Sequence, residues 1–114
     1  MMTITPTLRQ EATEMEAELC SAFSDPTRIL ILYALNEQPR TVTDLTMELN
    51  LAQPTASRHL KVLRDRGLVV ADRQGTSMLY RLADTRLIDA LDILRAVLRD
   101  RIMHRANLIS ESIA

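Results

Sequence analysis

The chain has 114 residues, enough for one hydrophobic core and too few for two, and its 46% apolar and 25% charged content excludes a disordered, collagen-like or disulfide-stapled chain. The longest unbroken apolar run, Ile29 to Leu35, falls far short of the ~18 to 20 residues that cross a bilayer, the N-terminal region carries Glu11, Glu14, Glu16 and Glu18 instead of a basic start and apolar block, and Cys20 is the only cysteine, so a cytoplasmic single domain over residues 1–114 with no membrane contact is expected. The formal net charge of −1 hides an asymmetry: residues 58–81 hold Arg58, Lys61, Arg64, Arg66, Arg73 and Arg81 against Asp65 and Asp72, net +4, as a polyanion-binding face requires.

From Leu8 to Phe23, the residues Leu8, Ala12, Met15, Leu19 and Ala22 recur at spacings of three and four with glutamates opposite, which predicts an amphipathic first helix. Asp25 as N-cap and Pro26 at the first helical position predict a second helix to about Glu37, ended by Pro39. Its stretch Ile29 to Leu35 is apolar on every face and places it at the centre of the core. Thr41-Val42-Thr43-Asp44 offers a capping box for a short third helix over Val42 to Leu49, with Val42, Leu45 and Leu49 inward. After the tight connection Asn50-Leu51-Ala52, a fourth helix with Pro54 in its first turn runs to Arg66, and Gly67 stands where a left-handed C-terminal cap is wanted. On it Ala56, Leu60 and Leu63 share one face, while Pro54, Ser57, Arg58 and Lys61 point the opposite way. Leu68 to Arg73 and Ser77 to Leu82, separated by Gln74-Gly75-Thr76, read as a β-hairpin. Asp84-Thr85 can cap a last helix in which Leu87, Leu91, Leu94, Leu98 and Ile102 keep a three-four spacing that continues toward Ile109.

Helix, short turn, polar-faced helix and basic hairpin is the order of a winged helix-turn-helix, in which one helix enters the major groove and the wing reaches the adjacent backbone or minor groove. The excess of positive charge falls on those last two elements. Catalysis would want a nucleophile with its base, clustered carboxylates or a phosphate loop; two histidines in distant segments, one cysteine and no glycine-rich loop give no such constellation, so no enzyme is expected. The segments Ser24-Asp25-Pro26-Thr27-Arg28-Ile29, Val42-Thr43-Asp44-Leu45, Gln53-Pro54-Thr55-Ala56-Ser57-Arg58-His59-Leu60-Lys61-Val62-Leu63-Arg64, Gly67-Leu68-Val69 and the hairpin Asp72 to Leu82 resemble, in one collinear register over roughly residues 8–105, the ArsR/SmtB family of bacterial transcriptional repressors. The resemblance implies a mainly α fold with a small β-hairpin in the order ααααββα. It also implies a homodimer on double-stranded DNA with an inverted-repeat operator, and release when an effector binds. Residues 42–66 would be the helix-turn-helix, 68–82 the wing, and 1–23 with 84–114 the dimerisation helices. Carried over by position, the helix from Gln53 to Arg66 is the recognition helix, with Gln53, Thr55, Ser57 and Arg58 reading base edges. His59, Lys61 and Arg64 would hold phosphates, and Arg73, Gln74 and Arg81 of the wing would meet backbone or minor groove. For His59 a second reading stays open, a hydrogen bond back onto the fold.

Two copies of the stripe Leu87, Leu91, Leu94, Leu98 and Ile102 would bury one another's apolar surface, which predicts the dimer on physical grounds as well. The signal is less legible. Metal-sensing members of the resembled family use a Cys-x-Cys pair at the start of the third helix, where this sequence has Thr41 and Thr43, and hydroxyls are poor ligands for soft metals. A second family site needs an Asp-x-His and a His-x-x-Glu pair on the last helix, where the only histidine is His104. Asp100 and His104 read as a surface pair four residues apart. No metal and no cofactor are expected, and a small effector of unknown nature stays open. Cys20 is a candidate sensor, as a thiol switch or arsenic-type ligand, or else a small packed hydrophobe. A winged-helix protein–protein interaction module without DNA binding is the alternative to a repressor, and it would lack the steep salt dependence of duplex binding.

Overall fold

The computed structural model describes residues 3–113. Thr5 starts the first helix, its Oγ1 accepting from the Leu8 amide at 3.0 Å, and α1 runs over Pro6–Glu14. The helix expected as one piece to Phe23 is three: after α1 the backbone widens into a π turn, Met15–Leu19, and tightens into a 3-10 turn, Cys20–Phe23. A physical cause sits at the Ala17 carbonyl, which accepts from Ser21 Oγ at 2.6 Å and from the Arg66 guanidinium. Side-chain donors inserted into a helical ladder displace its regular bonds. Of the predicted inward set Leu8, Ala12, Met15, Leu19 and Ala22, only Ala22 is buried and Leu19 half-buried.

Helix α2 spans Pro26–Glu37, with Asp25 Oδ1 accepting from the Thr27 amide at 2.8 Å as N-cap. Pro39 forces the residue before it out of helical geometry, and Gln38 is extended at φ −169° and ψ 159°. Ile31, Leu32, Ala34 and Leu35 are buried, as the apolar run demands, but Leu30 is 53% exposed, so this helix is not enclosed on every face. Helix α3, Val42–Leu49, opens on a complete capping box: Thr41 Oγ1 accepts from the Asp44 amide and Asp44 Oδ2 from the Thr41 amide. Leu45 is buried, and Val42 and Leu49 are half-buried. Asn50 closes α3 in the left-handed region at φ 54°, a conformation that asparagine tolerates better than most residues.

Helix α4, Gln53–Asp65, buries Ala56, His59, Leu60 and Leu63. It ends in a Schellman motif, with the Leu68 amide donating to the Leu63 carbonyl at 2.9 Å, the Gly67 amide to Arg64 at 3.0 Å, and Gly67 at φ +74°. The antiparallel hairpin pairs β1, Val69–Gln74, with β2, Ser77–Leu82, from Val69↔Leu82 to Gln74↔Ser77. Gln74 therefore belongs to the strand rather than to the loop, and the turn is the pair Gly75-Thr76 with Gly75 at φ +61°. The backbone of Arg40 adds a bridge that the sequence did not announce, exchanging two hydrogen bonds with Tyr80 at 2.9 and 2.8 Å. Leu68, Val69 and Leu82 join the buried set, each contributing roughly 1.5–3 kcal/mol by leaving water.

The chain divides into two compact units after Asp84. The second is one helix, α5, Arg86–Ile113, on which Ile88 and Leu91 are buried and Leu87 half-buried, whereas Leu94, Leu98 and Ile102 are 59%, 55% and 53% exposed. Of the five residues of the predicted stripe, Leu91 is 5% exposed. Among the described residues no helix is long and apolar enough to cross a membrane.

Candidate nucleic-acid interface

Burial of Ala56, Leu60 and Leu63 turns the other side of α4 to solvent, and Gln53, Pro54, Ser57, Arg58, Lys61 and Arg64 all lie exposed there, with Thr55 half-buried. Lys61 Nζ is 3.0 Å from Asp65 Oδ2 in a solvent-exposed pair, a contact that contributes little and is readily exchanged. Among the described residues no hydrogen bond or ion pair ties down the side chains of Arg58, Arg64 or Arg73. A groove lined by Ser57, Lys61, Arg64, Asp65 and Tyr80 brings the outer side of α4 together with β2. Tyr80 was not among the expected contacts; its only sequence signal is an aromatic within a strand pattern.

The wing does not gather its three expected residues on one surface. Alternation along the paired strands puts Gln74 and Arg81 on one face of the hairpin and Arg73 on the other, the face of Tyr80 and of buried Val69 and Leu82. Arg81 Nε is held at 2.9 Å by Asp72 Oδ2, its diagonal neighbour across the strands. Arg73 is exposed near the tip.

His59 is corrected. At 6% exposure its imidazole lies inside the protein and cannot reach a phosphate. Nδ1 stands 3.1 Å from Arg28 Nη1 and Nε2 3.8 Å from Asp25 Oδ2. Burial holds the imidazole below its usual pKa, with Asp25 opposing that shift and the Arg28 and Arg58 guanidiniums adding to it. Asp25 is itself held below the ordinary carboxylate range, chiefly by the Thr27 amide. Spacing carried the clue, since His59 falls three residues after Ala56 and four before Leu63, both core positions. Arg66 is likewise not part of the outer face: Nη1 donates to Ser21 Oγ at 2.6 Å and to the Ala17 carbonyl.

The Thr41 hydroxyl is occupied as the cap of α3, and Thr43 is exposed. Asp100 and His104 are exposed on α5, and among the described residues no group of three His, Cys, Asp or Glu is placed to hold a metal ion. Cys20 is exposed in the 3-10 turn.

A short α3, a left-handed turn, a polar-faced α4 and an adjoining hairpin define the winged helix-turn-helix class. Residues 25–70 match the ArsR family of bacterial regulatory proteins. The HTH-type transcriptional regulator NmtR of Mycobacterium tuberculosis is 40% identical over 85 residues, covering 75% of this chain and 71% of NmtR. The biofilm growth-associated repressor of Agrobacterium fabrum is 36% identical over 89 residues, 75% of each chain. Among solved structures, the homodimeric winged helix-turn-helix DNA-binding domain of a possible ArsR-family regulator from Mycobacterium bovis superposes with a TM-score of 0.74 at 25% identity, covering 90% of this chain and 95% of that one. The chain belongs to the ArsR family of bacterial regulatory proteins: it is a DNA-binding transcriptional regulator.

Proposed function

We propose that the chain is a cytoplasmic homodimeric repressor that holds an inverted-repeat operator through the outer side of α4 and is released by an effector or by modification of the exposed Cys20 thiol. One observation carries the reading: the polar and basic side chains of α4 are exposed on the side opposite its buried stripe, so the helix is both anchored and available. Gln53, Thr55, Ser57 and Arg58 are assigned to base edges, where arginine forks onto guanine and glutamine onto adenine. Lys61 and Arg64 are assigned to phosphates, and Arg73, Gln74 and Arg81 to backbone or minor groove on the two faces of the wing. The exposed residues Leu94, Leu98 and Ile102, continuing from Leu87, supply the twofold interface. That symmetry places the two α4 helices about 34 Å apart, one turn of DNA.

The test is selection of duplexes from a random-sequence library by the wild-type protein, followed by binding of the enriched duplex at increasing salt. A repressor enriches a sequence with inverted symmetry and loses affinity steeply as salt rises. Arg58→Ala should then cost roughly 1–3 kcal/mol on the enriched duplex and relax preference at one base position. No enrichment by the wild type, together with a flat salt response, would overturn the reading.

A further inference from the structure

Beside the packing of buried Ala56, Leu60 and Leu63, polar contacts hold α4 from behind at two places, one at Arg28 in the first turn of α2 and one in the stretch between α1 and α2. Midway along the helix, buried His59 meets Arg28, whose Nε donates to the Ala22 carbonyl at 2.8 Å and whose Nη2 donates to Ser24 Oγ at 3.1 Å. At the C-terminal cap, Arg66 donates to Ser21 Oγ at 2.6 Å and to the Ala17 carbonyl, the same carbonyl that Ser21 Oγ meets.

Apolar packing fixes the depth of a helix more firmly than its angle, and two polar holds spaced along the axis add the directional constraint. At ~1.5 Å per residue, Arg66 lies about 10 Å from His59 along the axis, and Gln53 about 9 Å from it on the other side. A drift of about 1 Å at Arg66 therefore moves the Gln53 end by nearly as much, while a hydrogen bond to a base is lost within roughly half an ångström. Because the π turn presents the Ala17 carbonyl to Arg66, the irregular backbone of the first helix becomes part of the seat on which α4 rests.

We propose that Arg66 is a positioning residue for DNA recognition: through Ser21 and the Ala17 carbonyl it fixes the angle at which α4 is presented, without itself touching DNA. This rests on α4 being the recognition helix. The probe is the duplex enriched by wild-type protein from a random library, compared with an unselected duplex. Arg66→Leu should weaken the enriched duplex about tenfold, with a wild-type salt slope and nearly unchanged binding of the unselected duplex, and Arg66→Lys should recover most of the loss. Ser21→Ala should weaken it about threefold, and the double variant should be no worse than Arg66→Leu alone.

Wild-type affinity and selectivity in Arg66→Leu would overturn the proposal. So would a salt slope shallower by about one, which would put Arg66 on a phosphate, or losses that simply add in the double variant. Should Arg66→Leu fail to fold by circular dichroism, Ser21→Ala decides, and wild-type affinity and selectivity there overturn it. Failure of the underlying reading looks different: the enriched duplex then tolerates Arg58→Ala, and a wild type that enriches nothing overturns both.

Discussion

An arginine can only donate, so the 3.1 Å contact between Arg28 Nη1 and His59 Nδ1 assigns the imidazole its neutral form with the proton on Nε2, toward Asp25. Protonation would set a second N–H against the guanidinium. Since burial holds the folded pKa below the usual 6.5, the unfolded chain binds more protons than the folded one as pH falls past that value. Stability contributed by neutral His59 is thus whole above pH 6.5, declines below it, and levels off once pH passes beneath the folded pKa. The urea midpoint should drop between pH 7 and pH 5, and His59→Gln, which keeps an acceptor for Arg28, should flatten that part of the profile. A wild-type midpoint constant over the range would contradict the assignment. At this scale outward residues such as Ser57 and Arg58 follow from the helical period, but in the sequence nothing sets Arg66, which meets Ser21 in the fold, apart from the other cations. Its partners lie more than forty residues upstream, and no local pattern records such a pairing.

Helix ends were the most legible elements because their signals are local. Asp25-Pro26, Thr41 with Asp44, and Gly67 each satisfy terminal amides or carbonyls within a few residues, so the boundaries of α2, α3 and α4 follow closely. The break in the first helix and the Arg40–Tyr80 bridge depend on distant partners and left no trace in the spacing. Gly67 permits a clean measurement of one such local signal. A Cβ added there meets no atom within 4 Å, so the cost of Gly67→Ala comes from its φ of +74° alone. The variant should lose about 1 kcal/mol, a few degrees in the thermal midpoint, and Gly67→Asn should lose less. Equal midpoints for the alanine variant and wild type would mean that the Schellman geometry contributes nothing to stability. The same logic explains the hairpin: glycine at φ +61° licenses a two-residue turn, and this is why Gln74 is in the ladder.

For the whole molecule, the period of α5 shows which face is apolar but not how much of it is covered. Leu91 is buried and Leu94 is not, although both sit on the same predicted stripe. Leu94, Leu98, Ile102 and Ile109 are exposed along α5, apolar side chains that a second copy of the chain would take out of water. Leu94→Glu with Leu98→Glu should leave helix content unchanged, shift sedimentation from dimer to monomer, and abolish tight duplex binding. An intact dimer in the double variant would place the interface elsewhere. The exposed half of α5 also bears on gene dosage. When a reader is assembled from two identical halves, promoter occupancy in the dilute regime follows the square of the number of chains in the cell, so halving synthesis removes about three quarters of the silencing.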